Sequence, residues 1–364
     1  MSIGIEHMDN LLVHSCSTGR NRLVEDPWIA NSLMHKAIRR GDAPTAERSA
    51  LSFHAIRGSA IWRRLMIIAC EDIGIGSTEA VIQAVDICTN IARRKSLGGN
   101  AEAIRNVVRL LCSATKDRSS DHLVAAIDKH PDLEGARRKM ASALDDERLE
   151  ISRDPELPLT VRATAIIYAS GLGRDRQFLG GNIDALAGSF RALGAQPNLV
   201  EASILAGRRT NEPIAVLLPL LHLCHADAGT SIEHMPMPHA AVAQGVPLYA
   251  FDKHTRVGRQ AFDLFARQNG EIRTLLERFA PGRSGREAVG MAAFHAEAAL
   301  INPRFVWAQA QSIENIGIES DLLSAGIQSD GHQIIIQAVR DNIDHLNALR
   351  THIYERSIAT AVDA

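Results

Sequence analysis

The side chains best equipped for chemistry lie together in Tyr249-Ala-Phe-Asp-Lys-His-Thr-Arg256, which is followed by Gly258 and Arg259. An imidazole is the side chain that titrates nearest neutrality, and a carboxylate beside it, here Asp252, can orient it or cap the helix that follows. From Lys253 to Arg286 eight basic residues face three acids. Such an excess suits a phosphate group or a nucleic-acid backbone, which arginine and lysine grip through charge-assisted hydrogen bonds. Three readings stay open. In one, Asp252, Lys253, His254 and Arg256, with His295, form an enzyme site for a phosphorylated or nucleic-acid substrate. In another, Lys253, His254, Arg256 and Arg259 are contacts for DNA or phosphate. In the third, the stretch is only an N-capped helix with a salt-bridged basic face.

A second concentration of charge precedes Gly74, where Glu71-Asp72 closes a helix that begins near Arg63-Arg64. Arg64 stands seven residues before Glu71, on the same face two turns earlier. Adjacent acids in an apolar helix survive burial only when satisfied, so these carboxylates are expected to pair with arginine or to cap a neighbouring helix, and not to catalyse. Basic residues recur at Lys36, Arg39, Arg40, Arg57, Arg63 and Arg64, and again from Arg93 to Arg118. They read either as solvated helix faces or as sequence-independent phosphate contacts, with Arg39, Arg40, Arg63 and Arg64 as the candidates. Aromatic residues make up 4% of the chain, which argues against a stacking platform for single strands.

The histidines His222, His225, His234 and His239 invite a metal reading, since the first two share a helix face. A zinc site needs three or four converging ligands, and these positions match no recognised metal spacing. No metal and no cofactor are therefore expected. Gly-x-Ser-x-Gly, His-Glu-x-x-His and dinucleotide-binding patterns are absent as well.

The elements that would position these groups read as helices. The chain has 364 residues and a net charge of −2, so no global field draws it to nucleic acid or to an acidic membrane. Its length suits two helical domains. Cys16, Cys70, Cys88, Cys112 and Cys224 form no Cys-x-x-Cys pair and read as reduced thiols, which points to the cytoplasm. The longest apolar run, Ile214 to Cys224, is too short to span a bilayer, and the N-terminus, with Glu6 and Asp9, is not expected to be a signal peptide.

Asp26-Pro27 starts one helix and Gly41 ends it; Asp42 caps the next, which stops at Gly58; Ser59 is expected to cap a third. A single helix is expected from Thr78 to Arg94, with Val81, Ala84, Val85, Cys88 and Ile91 on its apolar stripe. Further helices are expected over 159–170, 183–193, 199–206 and 212–225, then a long loop from Gly229 to Pro247. The helical pattern resumes from His254 and ends in one amphipathic helix carrying Ile334, Ile335, Val339, Ile343, Leu346 and Leu349. The fold class is all-α, and no alternating pattern is long enough for a sheet. The divisions are an N-terminal extension over 1–25, a helical domain over 26–145, an acidic, proline-containing linker over 146–158 and a second helical domain over 159–364.

Ser32-Leu-Met-His-Lys-Ala-Ile-Arg-Arg-Gly-Asp42, then Trp62-Arg-Arg-Leu and Ile68-Ala-Cys-Glu-Asp-Ile-Gly74, resemble the region after the ATPase core in replication-associated recombination ATPases of the RarA/MgsA type. These are AAA+ relatives of clamp loaders. The resemblance runs on through Leu110-Leu-Cys-Ser-Ala-Thr-Lys-Asp-Arg-Ser-Ser120 to Ala126-Ile-Asp128, about residues 30 to 130 in all. It implies an all-helical scaffold, self-association into a homo-oligomer, and a setting in DNA replication or repair. The departure is equally clear, because no Gly-x-x-x-x-Gly-Lys-Ser/Thr loop is present, and with so few residues before Asp26 no ATPase domain is expected. The expectation is thus a non-enzymatic assembly or DNA-binding factor. Its alternatives are the enzyme described above and a purely structural self-associating protein.

Overall fold

The computed structural model describes residues 24–173, 179–225 and 229–362, so the N-terminal extension with Cys16 lies almost wholly outside the described residues. The fold is all-α. In α1 (Pro27–Arg40), Asp26 accepts the N–H groups of Trp28 and Ile29, Pro27 occupies the first turn, and Gly41, at φ 73°, closes the helix. Asp42 caps α2 (Ala43–Arg57) through Thr45 N, and the chain leaves it at Gly58. Ser59 precedes α3 (Ala60–Ile68) without a capping hydrogen bond, contrary to expectation.

Beyond Ile68 the helix widens into one π-helical turn, Ala69–Ile73, then tightens into a 3-10 turn, Gly74–Ser77. Glu71 and Asp72 therefore stand on a widened turn, a feature that recurs at functional sites. The helix expected from Thr78 to Arg94 divides into α4 (Thr78–Thr89) and α5 (Ile91–Ser96), because Asn90 turns extended and caps α5 through Arg93 N. That break takes Ile91 off the apolar stripe and exposes it. α6 (Asn100–Ser113) and α7 (Ser119–Lys129) follow, and a first core is built on Leu33, Ile38, Leu65, Ile68, Val81 and Val107, joined by Leu199 and Phe251 from later in the chain.

Next come α8 (Glu134–Ser142), α9 (Asp145–Arg153), α10 (Leu159–Ser170), α11 (Ile183–Ala192), α12 (Pro197–Thr210) and α13 (Leu218–His225). The segment 146–158, expected as a linker, begins as helix α9, which packs along α10. Arg148 is buried there, donating to Met140 O at 2.9 Å and to Asp145 Oδ1 at 3.0 Å. A second core centres on Ile127, Ile166, Phe190, Leu217 and Trp307.

The stretch expected as a long loop holds three very short strands, β1 (Ser231–Glu233), β2 (Val242–Ala243) and β3 (Val246–Pro247). β2 pairs with β3, and β1 pairs antiparallel with β4 (Arg304–Val306). The last helices are α14 (Arg256–Gln268), α15 (Gly270–Phe279), α16 (Gly285–Ala293), α17 (Ala310–Ser324), α18 (His332–Asp341) and α19 (Ile343–Val362), with a π-helical turn, Phe294–Ala298, after α16. The single terminal helix expected from the apolar pattern is thus two; Ile335, Val339 and Leu346 are buried while Ile334 is exposed. A third core, with Phe262, Phe265, Phe279, Leu322 and Val339, fixes α14 against α16 and α19.

Two contacts set the geometry of the site. α17 lies directly on α7, where a Cβ on Gly317 would come 2.5 Å from His122 Cβ. The connection before α17 is laced to the one before α7, with Lys116 N donating to Pro303 O at 2.9 Å and Phe305 N to Lys116 O at 2.8 Å. No helix among the described residues is long and apolar enough to cross a membrane.

Candidate functional site: a buried ionic cleft beside α1

Ser32, His35, Lys36 and Arg39 recur on α1 at the spacing of one helix stripe, yet all four are buried. Polar groups tolerate this only with partners, and the partners come from distant parts of the chain. Ser32 Oγ donates to Asp252 Oδ2 at 2.6 Å, and Lys36 Nζ reaches the same oxygen at 2.7 Å. Burial alone would raise the Asp252 carboxyl, but the Lys36 charge and these hydrogen bonds prevail and hold it far below its usual range. Asp252 Oδ1 accepts the backbone N–H of His254 at 2.8 Å, so it neither orients the imidazole nor caps α14. The cap is Thr255, whose Oγ1 accepts Gly258 N at 3.0 Å.

Three residues beyond Lys36 on α1, Arg39 Nε donates to Asp72 Oδ1 and Nη2 to Glu71 Oε1, each at 2.6 Å. Arg118, at the start of α7, stands 3.8 Å from the same two oxygens and pairs with Asp121. Both guanidiniums lie over the Phe294 ring, at 5.4 and 5.3 Å from its centre. The acids are paired with arginine as expected, although the partners are Arg39 and Arg118 and not Arg64. Burial, then the neighbouring Asp72 and Asp121, push the Glu71 carboxyl up to about 8 against the pull of the two arginines. His35 is held well below its ordinary value by burial and then by Arg39, Arg64 and Lys36.

Except for the wholly buried Asp72, these groups line a cleft of about 410 Å³ between α1, α7 and the end of α16, with Arg64 and Lys253 at its walls. Arg64 makes no hydrogen bond or ion pair among the described residues, and Lys253 Nζ has only the Met291 sulfur, at 4.0 Å. Burial lowers the Lys253 ammonium from its usual range.

The other predicted residues divide by place. Arg39 is 3% exposed and committed to carboxylates, and so is not a surface contact for DNA. Arg40 lies over the Tyr249 ring at 4.4 Å and donates to Pro238 O and Glu297 O, which tie it to the loop before β2 and to the second π turn. Arg63 is half-exposed and pairs with Glu212 at 2.8 Å. Asp252, Lys253 and His254 line the cleft, whereas Arg256 does not. His295 sits elsewhere, its Nε2 3.4 Å from Asp321, a carboxylate also bound by Lys129 at 2.9 Å. The enzyme constellation of Asp252, Lys253, His254, Arg256 and His295 is therefore not gathered into one cavity.

A shallower hollow of about 310 Å³ collects Lys253, His254, Arg259 and Arg286, with Glu287 as its one carboxylate among the described residues. Across α14, Arg256 lines a separate hollow of about 540 Å³ with Arg267, His352 and Arg356, where Asp263 is the acid. Arg286 and Arg356 lie 30 and 100 residues from Arg256 in sequence, which is why local spacing did not single them out.

The histidines of the metal reading do not converge. His222 and His225 stack edge to face at 4.9 Å, and His225 meets Phe305 at 5.5 Å. The group with metal-ligand spacing among the described residues is instead His35, Glu71 and Asp72. No protein-family model, curated protein or solved structure matches the chain.

Proposed function

We propose that this chain is a non-enzymatic helical binding and assembly factor in DNA replication or repair, and that the face around α14 holds a phosphate backbone. The observation that carries the reading is the pair of basic hollows flanking one helix, α14. Lys253, Arg259 and Arg286, with His254, face one carboxylate on one side, and Arg256, Arg267 and Arg356 face one on the other. Phosphates need clustered cations and no particular bases, so the binding is sequence-independent.

The buried Arg39 and the neighbouring Arg40 of α1 then have a scaffold role, holding the first helices against the second half of the chain. Its resemblance to the helical region of the RarA/MgsA-type ATPases supports this division of labour. The same resemblance supports self-association into a homo-oligomer, and cysteines that form no Cys-x-x-Cys pair support a place in the cytoplasm.

The test is fluorescence anisotropy with labelled duplex DNA across a salt series. Affinity falls steeply with salt, and replacing Arg259 and Arg286 by alanine weakens binding on all sequences and flattens the salt slope by about 2. Salt-insensitive binding, or parental affinity in the double variant, rules the reading out.

A further inference from the structure

The structure also points to a metal centre. We propose that His35, Glu71 and Asp72 bind a divalent transition cation, of which zinc is the type, on the wall of the ionic cleft. One nitrogen of His35 and one oxygen from each carboxylate lie within 4.8 Å of one another. With metal–ligand bonds of about 2.0–2.2 Å, ligand atoms lie at most about 4 Å apart, so these side chains would draw inward on binding.

Two atoms in this group are otherwise unexplained. Asp72 is wholly buried and its Oδ2 has no hydrogen-bond partner among the described residues; His35 is 9% exposed and its Nε2 has none either. A buried carboxylate oxygen and a buried ring nitrogen left bare cost free energy, and a cation accepting both lone pairs removes that cost. The arginines do not compete for the bare oxygen, because Arg39 and Arg118 approach Asp72 through Oδ1. A carboxylate that binds a cation through one oxygen and an arginine through the other is held in orientation, as metal ligands generally are.

The neighbouring cations are themselves paired: Arg39 and Arg118 face Glu71, Asp72 and Asp121, and Lys36 is matched by Asp252. Arg64 from α3 and Lys253 from the turn before α14 stand at the cleft walls. Imidazole with two carboxylates suits zinc, cobalt or manganese better than calcium or magnesium, which favour all-oxygen sets. Three protein ligands leave room for water or an anion from the cleft.

The full chain, freed of metal by chelation, is titrated with cobalt(II), followed by its visible absorption, and the cobalt is then displaced with zinc. One equivalent binds with the intense bands of low coordination. His35→Gln leaves every ion pair in place and weakens binding about ten-fold or more; Glu71→Gln keeps an oxygen for Arg39 and also weakens it. The double variant His222→Gln/His225→Gln binds as the parent does, and circular dichroism reports that each variant is folded. Absence of cobalt bands, parental affinity in His35→Gln, or loss in the His222/His225 variant overturns the proposal. None of these residues lines the hollows beside α14, so DNA anisotropy reads the two proposals separately.

Discussion

Arg39 reaches Asp72 with Nε at 2.6 Å, across 33 residues of sequence, and Asp72 has no exposed surface. Breaking a buried pair from one side leaves the other charge stranded, so Arg39→Met is expected to destabilise the protein by about 3–5 kcal/mol. Urea unfolding measures it, with the exposed Arg267–Asp263 pair as the contrast: Arg267→Met should hardly move the midpoint. Equal shifts in the two variants would show that the α1 pair is dispensable.

Glu71 predicts a pH dependence. Its folded carboxyl lies at about 8, above the usual 4.5, so the fold prefers the protonated form. The stabilisation from this group is complete below 4.5 and is lost as pH rises towards 8. In Glu71→Gln the melting temperature should therefore decline less between pH 5 and 8 than in the parent. A decline as large as the parent's would assign that pH sensitivity to other groups.

Asp252 acts in the opposite sense. Its folded carboxyl lies below the usual 3.8, so its contribution is present above that value and is lost as the pH falls further. Asp252→Asn should lower stability at neutral pH, where it strands Lys36, and lessen the additional loss in acid. Thermal melts from pH 2 to 7 distinguish this from a uniform shift.

Gly258 allows the turn at Asp252 to close on α14. A Cβ there would meet Asp252 O at 2.0 Å and the carbonyl carbon at 2.6 Å, both backbone atoms that have nowhere to go. Gly258→Ala should cost about 1–3 kcal/mol or more and, by displacing Asp252, weaken the hold on Lys36. At Gly188, in the exposed interior of α11, a Cβ meets nothing within 4 Å. Gly188→Ala should instead add about 0.5–1 kcal/mol. Chemical denaturation of both variants checks the pair.

Much of the helical plan was readable because helix ends are local. Asp26, Pro27 and Gly41 act within a turn or two of the backbone groups they satisfy, as Asp42 and Gly58 do for α2. Where expectation failed, the deciding contact was not in the pattern: Asn90 preferred to cap α5 over continuing α4, and the first part of segment 146–158, up to Arg153, is helical because α10 offers it a surface. The π turn that carries Glu71 and Asp72 left no mark in the apolar periodicity.

By itself, then, the sequence determined that this protein is helical, where most of its helices begin and end, and that Glu71 and Asp72 need arginine. Only the tertiary structure decided which arginines answer them. The Lys36–Asp252 pair spans 216 residues and the bond from Arg39 to Ala298 spans 259, so no local spacing can encode them. Burial does the selecting. A charge removed from water accepts whichever partner the packing brings within reach, and packing is a property of the whole chain.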